Sequence, residues 1–342
     1  MIEVHNLVKK YGGFEAVKDV SFTLPDGQVL GFLGPNGAGK TTVMKILTGF
    51  HFPSGGTALV GGISAQDDPV AVKRLIGYLP EGVPLYGDLT VTEYLNFIAD
   101  ARRIAKEKRK TAIDAALEQC ALTEMAKRRI ETLSKGYRQR TGLAQAIVHD
   151  PPILILDEPT TGLDPNQIIE IRALIKDLGR RKTVILSTHI LQEVEAVCTQ
   201  VLILNSGRIA AQGSPSGIAS SLRGGESWTL TLKGAVSPEV IEQSLKTFAA
   251  SFDGKTEISI SDLSVSADAA TSAASAGIVH AAFVISTAES NAERIFDWAL
   301  SLNLKILEMH KKKISLEDIF VKLTGSAQQN EVGVSIGVSN GK

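Results

Sequence analysis

The chain has 342 residues, a length that favours two domains over one. Hydrophobic residues make up 44% of it and charged residues 21%, which excludes collagen-like and wholly disordered proteins. Because 36 Lys and Arg residues nearly balance 37 Asp and Glu residues, the composition argues against a protein held on nucleic acid by bulk charge. The two cysteines form no CxxC pair, and we expect both thiols to be reduced and buried.

The N-terminal segment lacks the long apolar stretch of a signal peptide. No apolar run approaches the roughly 18 residues that are needed to cross a bilayer. The longest runs, such as 153–156 and 201–204, are short and typical of strands. We therefore expect any role at a membrane to come through a partner.

Short apolar or alternating segments predict strands, and longer segments with apolar residues three or four positions apart predict helices. In the first two thirds of the chain the predicted strands are 2–4, 20–24, 28–33, 153–156 and 183–187. The predicted helices are 42–49, 167–178 and much of the segment from about 91 to 150. Because the last two strands enclose a helix, they are expected to form a parallel β-α-β unit.

A break rich in Gly and Ser at about 218–226 predicts a domain boundary. After it the predicted order is strand, helix, strand, strand, helix, strand, which is the order of a ferredoxin-like unit. These elements are 227–232, 238–248, 257–265, 278–286, 292–302 and 304–310, and a short helix at 315–323 follows. The predicted organisation is a first domain at 1–220 with a helical subdomain at about 85–150, a small α+β domain at 226–325 and a flexible tail at 326–342.

Residues 34–41, GPNGAGKT, fit the pattern G-x-x-x-x-G-K-[ST] between a predicted strand and a predicted helix, which is the context the motif requires. The glycines allow backbone N–H groups to surround phosphate oxygens, and the helix N-terminus favours negative charge. We expect Lys40 to contact the β- and γ-phosphates of ATP and the Thr41 hydroxyl to bind Mg²⁺. The predicted nucleotide contacts of this loop are Gly34, Pro35, Asn36, Gly37, Ala38, Gly39, Lys40, Thr41 and Thr42.

Three further polar side chains follow predicted strands of the same sheet. We expect Asp157 to hold Mg²⁺ through its water shell, and Glu158, on the opposite side of the strand, to act on the water that attacks the γ-phosphate. His189 is favoured as a functional residue because it stands at the carboxyl end of a parallel sheet that carries a phosphate loop.

Ser134 precedes a predicted helix. It is either a simple N-cap of this helix or part of an anion site at the helix N-terminus, and both alternatives remain open.

Taken together and in this order, the motifs resemble the nucleotide-binding subunit of an ATP-binding-cassette (ABC) transporter over about 1–215. The resemblance implies an α/β P-loop NTPase fold of the ABC ATPase type with a helical subdomain, followed here by a small C-terminal α+β (ferredoxin-like) domain. It implies that Tyr11 stacks on adenine and that Ser134 and Gly136 contact the γ-phosphate. It also implies that Asp157 binds magnesium, that Glu158 is catalytic, that His189 is the switch histidine, and that 162–164 form the D-loop.

Two departures from the commonest family pattern stand out. Glu81 replaces the Gln that would sense the Mg²⁺ site and couple to the membrane subunit, and a carboxylate accepts hydrogen bonds but cannot donate them. Lys135 and Tyr137 replace the usual Gly and Gln around Gly136. Both departures, and the ending at 314–320, resemble the multidrug and gliding-motility exporter type, whose membrane subunits are encoded separately.

The function that the resemblance implies is ATP hydrolysis that drives an exporter, with ATP and Mg²⁺ as cofactors. The implied partners are an integral membrane permease subunit and a second cassette, in a homodimer or with a paired cassette subunit, on ATP binding. The implied location is the cytoplasmic face of the cell membrane, without nucleic acid. Two alternatives remain open, a soluble ABC-type ATPase acting on ribosome or DNA and a small-molecule P-loop kinase.

Overall fold

The computed structural model of the chain describes residues 1–221, 226–234, 238–250, 258–266, 277–285, 292–312 and 320. It divides into two compact units, of which the first contains Met1–Ile218 and the second is Ala219–Ile319. The helix predicted at 315–323, apart from Phe320, and the tail predicted at 326–342 lie outside the described residues.

The first unit contains a six-stranded sheet, a four-stranded sheet and the helices around them. Its strands are β1 (Ile2–Tyr11), β2 (Phe14–Leu24), β3 (Val29–Leu33), β4 (Gly55–Val60), β5 (Ile63–Ser64), β6 (Ile76–Leu79), β7 (Ile153–Asp157), β8 (Thr183–Thr188), β9 (Gln200–Asn205) and β10 (Arg208–Gly213). Its α-helices are α1 (Lys40–Leu47), α2 (Pro69–Leu75), α3 (Val91–Ala101), α4 (Lys106–Gln119), α5 (Lys135–Ile147), α6 (Pro165–Gly179) and α7 (Leu191–Val197). The helix α8 (Pro215–Ser221) contains the boundary between the two units, after Ile218. Short 3₁₀ turns at Thr123–Met125 and Ile130–Thr132 precede α5.

The six-stranded sheet has the order β10-β9-β3-β8-β7-β6, and all of its pairs are parallel except β10 with β9. Every residue of β3, β7 and β8 is buried, in agreement with the apolar sequences of β3, most of β7 and the centre of β8. The predicted β-α-β unit is confirmed as β7, α6 and β8, with Asp157 opposite Ser187. The carboxyl ends of these central strands therefore meet at one edge of the sheet.

The four-stranded sheet is antiparallel, in the order β2-β1-β4-β5. β1 and β2 are much longer than the strands predicted at 2–4 and 20–24. Their pairing shifts register after Val4, after Leu7 and after Lys9. Such irregularities interrupt the two-residue alternation from which a strand is predicted, so the sequence shows only the regular ends.

One cluster of buried residues joins the two sheets to α1. Phe22 of β2 packs edge to face against Phe32 of β3, with ring centroids 5.4 Å apart. Met44 and Leu47 of α1 are completely buried in the same cluster. This packing holds the end of β3 and the start of α1 in place, and therefore supports the loop between them.

The second unit contains β11 (Glu226–Gly234), α9 (Pro238–Ala250), β12 (Ile258–Ser266), β13 (Gly277–Ile285), α10 (Ala292–Ser301) and β14 (Lys305–Lys312). Its sheet is antiparallel and has the order β12-β13-β11-β14, and its elements follow one another in the order predicted for a ferredoxin-like unit. Its core contains Leu230 of β11, Leu245 of α9 and Trp298 of α10. Across the described parts of both units, no helix combines the length and the hydropathy that a bilayer span requires.

Candidate nucleotide site

The loop between β3 and α1 requires glycine at particular positions. Gly39, the residue before α1, has a left-handed φ of 105°, and a Cβ on it would lie 2.7 Å from the carbonyl oxygen of Ala16. A Cβ on Gly34 would lie 2.4 Å from the carbonyl oxygen of Leu204. The loop is therefore packed tightly against the neighbouring backbone, and a side chain at either glycine would disturb this close approach.

Lys40 is almost completely buried at the first position of α1. Its ammonium group donates to the carbonyl oxygens of Gly34 at 2.7 Å and Pro35 at 3.2 Å. It also lies 3.7 Å from Glu158 Oε1. A buried cation needs such compensation, and oxygen atoms of a bound phosphate would add to the same set of partners.

Thr41 and Asp157 face each other, with Thr41 Oγ1 donating to Asp157 Oδ1 at 3.3 Å. Ser187 Oγ donates to the same carboxylate oxygen at 2.5 Å and so orients it. Hydroxyl and carboxylate oxygens are the donors that Mg²⁺ prefers. Within the described residues no group of three His, Cys, Asp or Glu side chains could hold a metal without other ligands. This arrangement fits an ion that shares its coordination sphere with substrate phosphates and water.

Glu158 follows the last residue of β7 and leaves the strand direction, with a φ of 49°. The strand alternation that predicted it on the side opposite to Asp157 therefore does not apply. Its Oε2 accepts a hydrogen bond from Thr161 Oγ1 at 3.2 Å and lies 2.9 Å from His189 Nδ1. Because an ionised carboxylate only accepts, His189 Nδ1 carries the proton in this contact. His189 is half-exposed, so its other ring nitrogen can reach a ligand.

A cleft of about 450 Å³ opens over these groups. Its lining residues are Tyr11, Phe14, Ala16, Asn36, Gly37, Ala38, Gly39, Lys40, Thr41, Thr42, Glu81, Glu158, Thr161 and His189. Most of the predicted site residues thus lie together, although Gly34, Pro35 and Asp157 do not line the cleft. Phe14, Ala16 and Thr161 were not predicted. The signal for Phe14 is its pairing with Tyr11 across the β1–β2 turn, and the signal for Thr161 is its position three residues after Glu158.

Ser134 and Gly136 do not line this cleft. They stand at the start of α5, where Ser134 Oγ accepts from the Tyr137 N–H at 3.4 Å and so caps the helix. Gly136 lines a separate cleft of about 410 Å³, together with Asp164 and Gln167 of the neighbouring helix start. The described structure of one chain therefore does not bring the two predicted phosphate-binding regions together.

Glu81 lies in the loop after β6 and is exposed at the cleft. Tyr78 lies just before it, at the end of the buried strand. Burial, followed by the negative charges of Asp157 and Glu81, raises the pKa of Tyr78 to about 12. Tyr78 thus remains neutral at physiological pH.

The model of the ABC transporter family matches residues 17–161 of the chain. The uncharacterized ABC transporter ATP-binding protein YxlF of Bacillus subtilis is 40% identical over 213 residues, which are 62% of this chain and 70% of YxlF. The uncharacterized ABC transporter ATP-binding protein sll0415 of Synechocystis is 32% identical over 311 residues, which are 90% of this chain and 78% of that protein. The chain belongs to the ABC transporter ATP-binding protein family.

Solved structures of ABC cassettes share the fold. An ATP-binding subunit of an ABC transporter matches with a TM-score of 0.60 at 30% identity, and the match covers 65% of this chain and 92% of that subunit. The cassette MJ0796, whose structure is dimeric, matches with a TM-score of 0.58 at 26% identity, and the match covers 63% of this chain and 98% of the MJ0796 chain. These findings confirm the predicted family and fold class, and they identify the first unit as an ABC ATPase cassette.

Proposed function

We propose that this ABC cassette is the ATP-hydrolysing subunit of an exporter, and that it dimerises on MgATP to drive a separate membrane subunit. The observation that carries this proposal is the contact of Glu158 with His189 and Lys40 in one cleft. It places a candidate base, an orienting imidazole and a phosphate-binding cation within a few ångströms of each other. Phosphoryl transfer depends mainly on such positioning and on neutralisation of charge.

The nucleotide is proposed to lie along the cleft from the β1–β2 turn to the end of β7. Tyr11 and Phe14 are both substantially exposed at the turn and would stack on the adenine base. The backbone N–H groups of 36–41 and the ammonium group of Lys40 would surround the phosphates. The loop residues Asn36, Gly37 and Ala38 line this part of the cleft directly.

Thr41 and Asp157 are the residues proposed to hold Mg²⁺, with Glu81 at the outer part of the same site. When bound, the ion supplies positive charge that neutralises the phosphate oxygens. Thr41 would contribute its hydroxyl oxygen directly, and Asp157, fixed by Ser187, would act through water. An exposed carboxylate at position 81 adds negative charge to the Mg²⁺ site and can only accept hydrogen bonds.

Glu158 is proposed to orient the attacking water and to accept its proton. Lys40 lies 3.7 Å from one of its oxygens, and His189 and Thr161 bind the other, so the carboxylate has a defined direction. His189 lines the cleft and is half-exposed, so its second ring nitrogen would contact the γ-phosphate. His189 thus links the position of the base to the presence of the phosphate.

Dimerisation is proposed because one chain leaves the site incomplete. Ser134 caps α5 and Gly136 lies in its first turn, and neither residue lines the nucleotide cleft of its own chain. A helix start of this kind favours an anion, which a second chain in head-to-tail orientation would supply as the γ-phosphate of its ATP. The second chain is either an identical copy or a paired cassette subunit.

A membrane permease subunit is the proposed second partner, which would hold the cassette at the cytoplasmic face of the cell membrane. Tyr86 and Phe97 are exposed and stack edge to face, with ring centroids 5.4 Å apart. Tyr86 belongs to the same loop between β6 and α3 as Glu81, and Phe97 belongs to α3. Exposed aromatic clusters of this kind are typical of protein interfaces. The linearmycin resistance ATP-binding protein LnrL of Bacillus subtilis is 36% identical over 235 residues. Export of a toxic compound would provide such resistance, which supports the proposed direction of transport.

The proposed domain limits are 1–220 for the ATPase domain and 226–325 for the accessory domain. The alternative of a soluble ABC ATPase on the ribosome or DNA receives no support from a particular contact. Co-purification of the chain with an integral membrane protein would distinguish the exporter from this alternative. A cassette recovered on ribosomes or DNA, without a membrane partner, would contradict the proposal.

The central test replaces Glu158 with Gln, which keeps the shape of the side chain and removes its charge. We expect MgATP to bind normally while turnover falls by roughly 100-fold or more, because the water loses its base. The same variant should elute as a monomer without nucleotide and as a dimer with MgATP in size-exclusion chromatography. Ser134→Arg in that background should block the dimer by filling the phosphate position.

The matched control is Glu118→Gln, at an exposed position of α4, which should hydrolyse ATP at the parent rate. Normal turnover in Glu158→Gln would remove Glu158 from its proposed role. A dimer that forms equally well without nucleotide would contradict assembly through the shared phosphate site.

A further inference from the structure

A buried carboxylate that does not line the nucleotide cleft lies just behind it. Glu193 belongs to α7, four residues after His189, and its residue surface is only 2% exposed. Burying a charged carboxylate is costly unless hydrogen bonds and an opposite charge compensate for it. The partners that provide this compensation connect Glu193 to the proposed catalytic groups.

Each carboxylate oxygen of Glu193 accepts a hydrogen bond from a buried threonine. Thr160 Oγ1 donates to Oε1 at 2.5 Å, and Thr188 Oγ1 donates to Oε2 at 2.6 Å. Thr160 follows Glu158 by two residues, and Thr188 directly precedes His189. One carboxylate therefore bridges the two chain segments that carry the Glu158–His189 contact.

A third segment contributes the opposite charge. Arg172 Nη2 lies 3.5 Å from Glu193 Oε1, and Arg172 belongs to α6. This helix begins at Pro165, immediately after the segment 162–164 that follows Glu158 in the chain. The same carboxylate thus connects the loop after β7, the helix that follows this loop and the end of β8.

We propose that Glu193 is a positioning residue for ATP hydrolysis, which holds Thr160 and Thr188 so that Glu158 and His189 stay in contact. This inference rests on the proposed roles of Glu158 and His189. A carboxylate fits the task because both of its oxygens accept from a hydroxyl, whereas an amide presents one acceptor and one donor. Misplacement of reacting groups by about 1 Å is enough to cost roughly 100-fold in rate.

The first test is Glu193→Gln in the full chain, with kcat measured from phosphate release and the ATP dissociation constant measured separately. We expect kcat to fall about 10-fold or more while the dissociation constant changes by less than about 2-fold, since Glu193 does not touch the cleft. Glu195→Gln, at an exposed position of the same helix, is the control and should retain the parent kcat. An unchanged kcat in Glu193→Gln, or equal losses of kcat, binding and melting temperature, would overturn the proposal.

A second pair of variants tests the hydroxyl contact without removing the charge. Thr188→Val has nearly the shape of threonine but no donor, and we expect it to lower kcat. Thr188→Ser keeps the donor to Glu193 and should restore most of the rate. Equal rates in the two variants would contradict a role for this hydrogen bond.

The decisive measurement is a double-mutant cycle of Glu193→Gln with Glu158→Gln. If Glu193 acts through Glu158, its replacement has no further effect on the residual turnover of Glu158→Gln. Two multiplying effects would overturn the inference and leave the proposed function intact. Normal turnover in Glu158→Gln alone would instead contradict the proposed function itself.

Discussion

The backbone of Glu158 has a left-handed φ of 49°, a conformation that is uncommon for a residue with a side chain. Such a conformation costs on the order of 1–3 kcal/mol and persists only where surrounding contacts enforce it. The Glu158 N–H donates to Ser187 Oγ at 2.9 Å, and its carboxylate contacts His189. These contacts hold the strained backbone conformation, and this conformation turns the carboxylate away from the strand and toward Lys40 of the phosphate loop.

The buried side chain of His149 has a shifted pKa. Its Nε2 lies 3.2 Å from the carbonyl oxygen of Ile76, while its buried Nδ1 has no hydrogen-bond partner among the described residues. Burial, followed by the positive charge of Arg102, lowers the pKa of His149 to about 4. Between about pH 6.5 and pH 4 the unfolded chain therefore binds a proton at this position that the folded chain does not.

This difference predicts that the folded state loses stability as the pH falls from about 6.5 to 4. His149→Gln keeps a polar group beside Ile76 and does not titrate, so its melting temperature should fall less over this range. Thermal unfolding at several pH values is the measurement. Between about pH 6.5 and pH 4, the melting temperature of the variant should fall by a few degrees less than that of the parent. The exposed His5→Gln serves as the control, and a slope in His149→Gln equal to that of the control would contradict the prediction.

At the scale of elements, helix α5 lies unusually close to strand β6. A Cβ on Gly77 of β6 would lie 2.1 Å from the carbonyl oxygen of Ala146 in α5 and 2.7 Å from Leu154 Cδ2. A backbone carbonyl inside a helix cannot move aside without disturbing the helix. The absence of a side chain at this position therefore allows the helix that starts with Ser134 to rest on the sheet that carries Asp157.

Gly77→Ala is expected to destabilise the first unit by about 1–3 kcal/mol or more, because the added methyl group overpacks this contact. Gly13→Ala is the matched control, since a Cβ there meets nothing within 4 Å and its φ is not left-handed. It should change the free energy of unfolding by less than about 0.5 kcal/mol. Urea unfolding of both variants is the measurement, and equal midpoints would show that the helix adjusts freely.

At the scale of the whole molecule, the two units have separate hydrophobic cores. The described residues that line the nucleotide cleft belong to the first unit. We therefore expect two transitions in calorimetry of the Glu158→Gln chain. MgATP at 100 times its dissociation constant should stabilise only the first unit, by about 2.7 kcal/mol.

Trp298→Ala should affect the other transition. It removes a buried ring from the core of the second unit, where Trp298 Nε1 also donates to Ser244 Oγ at 3.1 Å. A loss of about 3–5 kcal/mol is expected in that unit, with ATP hydrolysis by the isolated chain retained. A single transition that both changes shift together would contradict the independence of the two units.

The sequence by itself was sufficient to predict the family, the α/β class, the β7–α6–β8 unit and the strand and helix order of the second unit. These features rest on local patterns, because apolar runs, helical periodicity and the glycine spacing of 34–41 each act within a few residues. The same locality explains the prediction of Ser134 as an N-cap, since the cap contacts the N–H of Tyr137 three residues later.

Only the tertiary structure decided which distant residues meet. The full length of β1 depends on a partner strand that accommodates its irregular register, and the direction of Glu158 depends on Ser187 and His189 from β8 and beyond. The bridge from Glu193 to Thr160 spans 33 residues and leaves no local pattern. Contacts of this kind are set by the packing of buried strands side by side, which a short window of sequence does not contain.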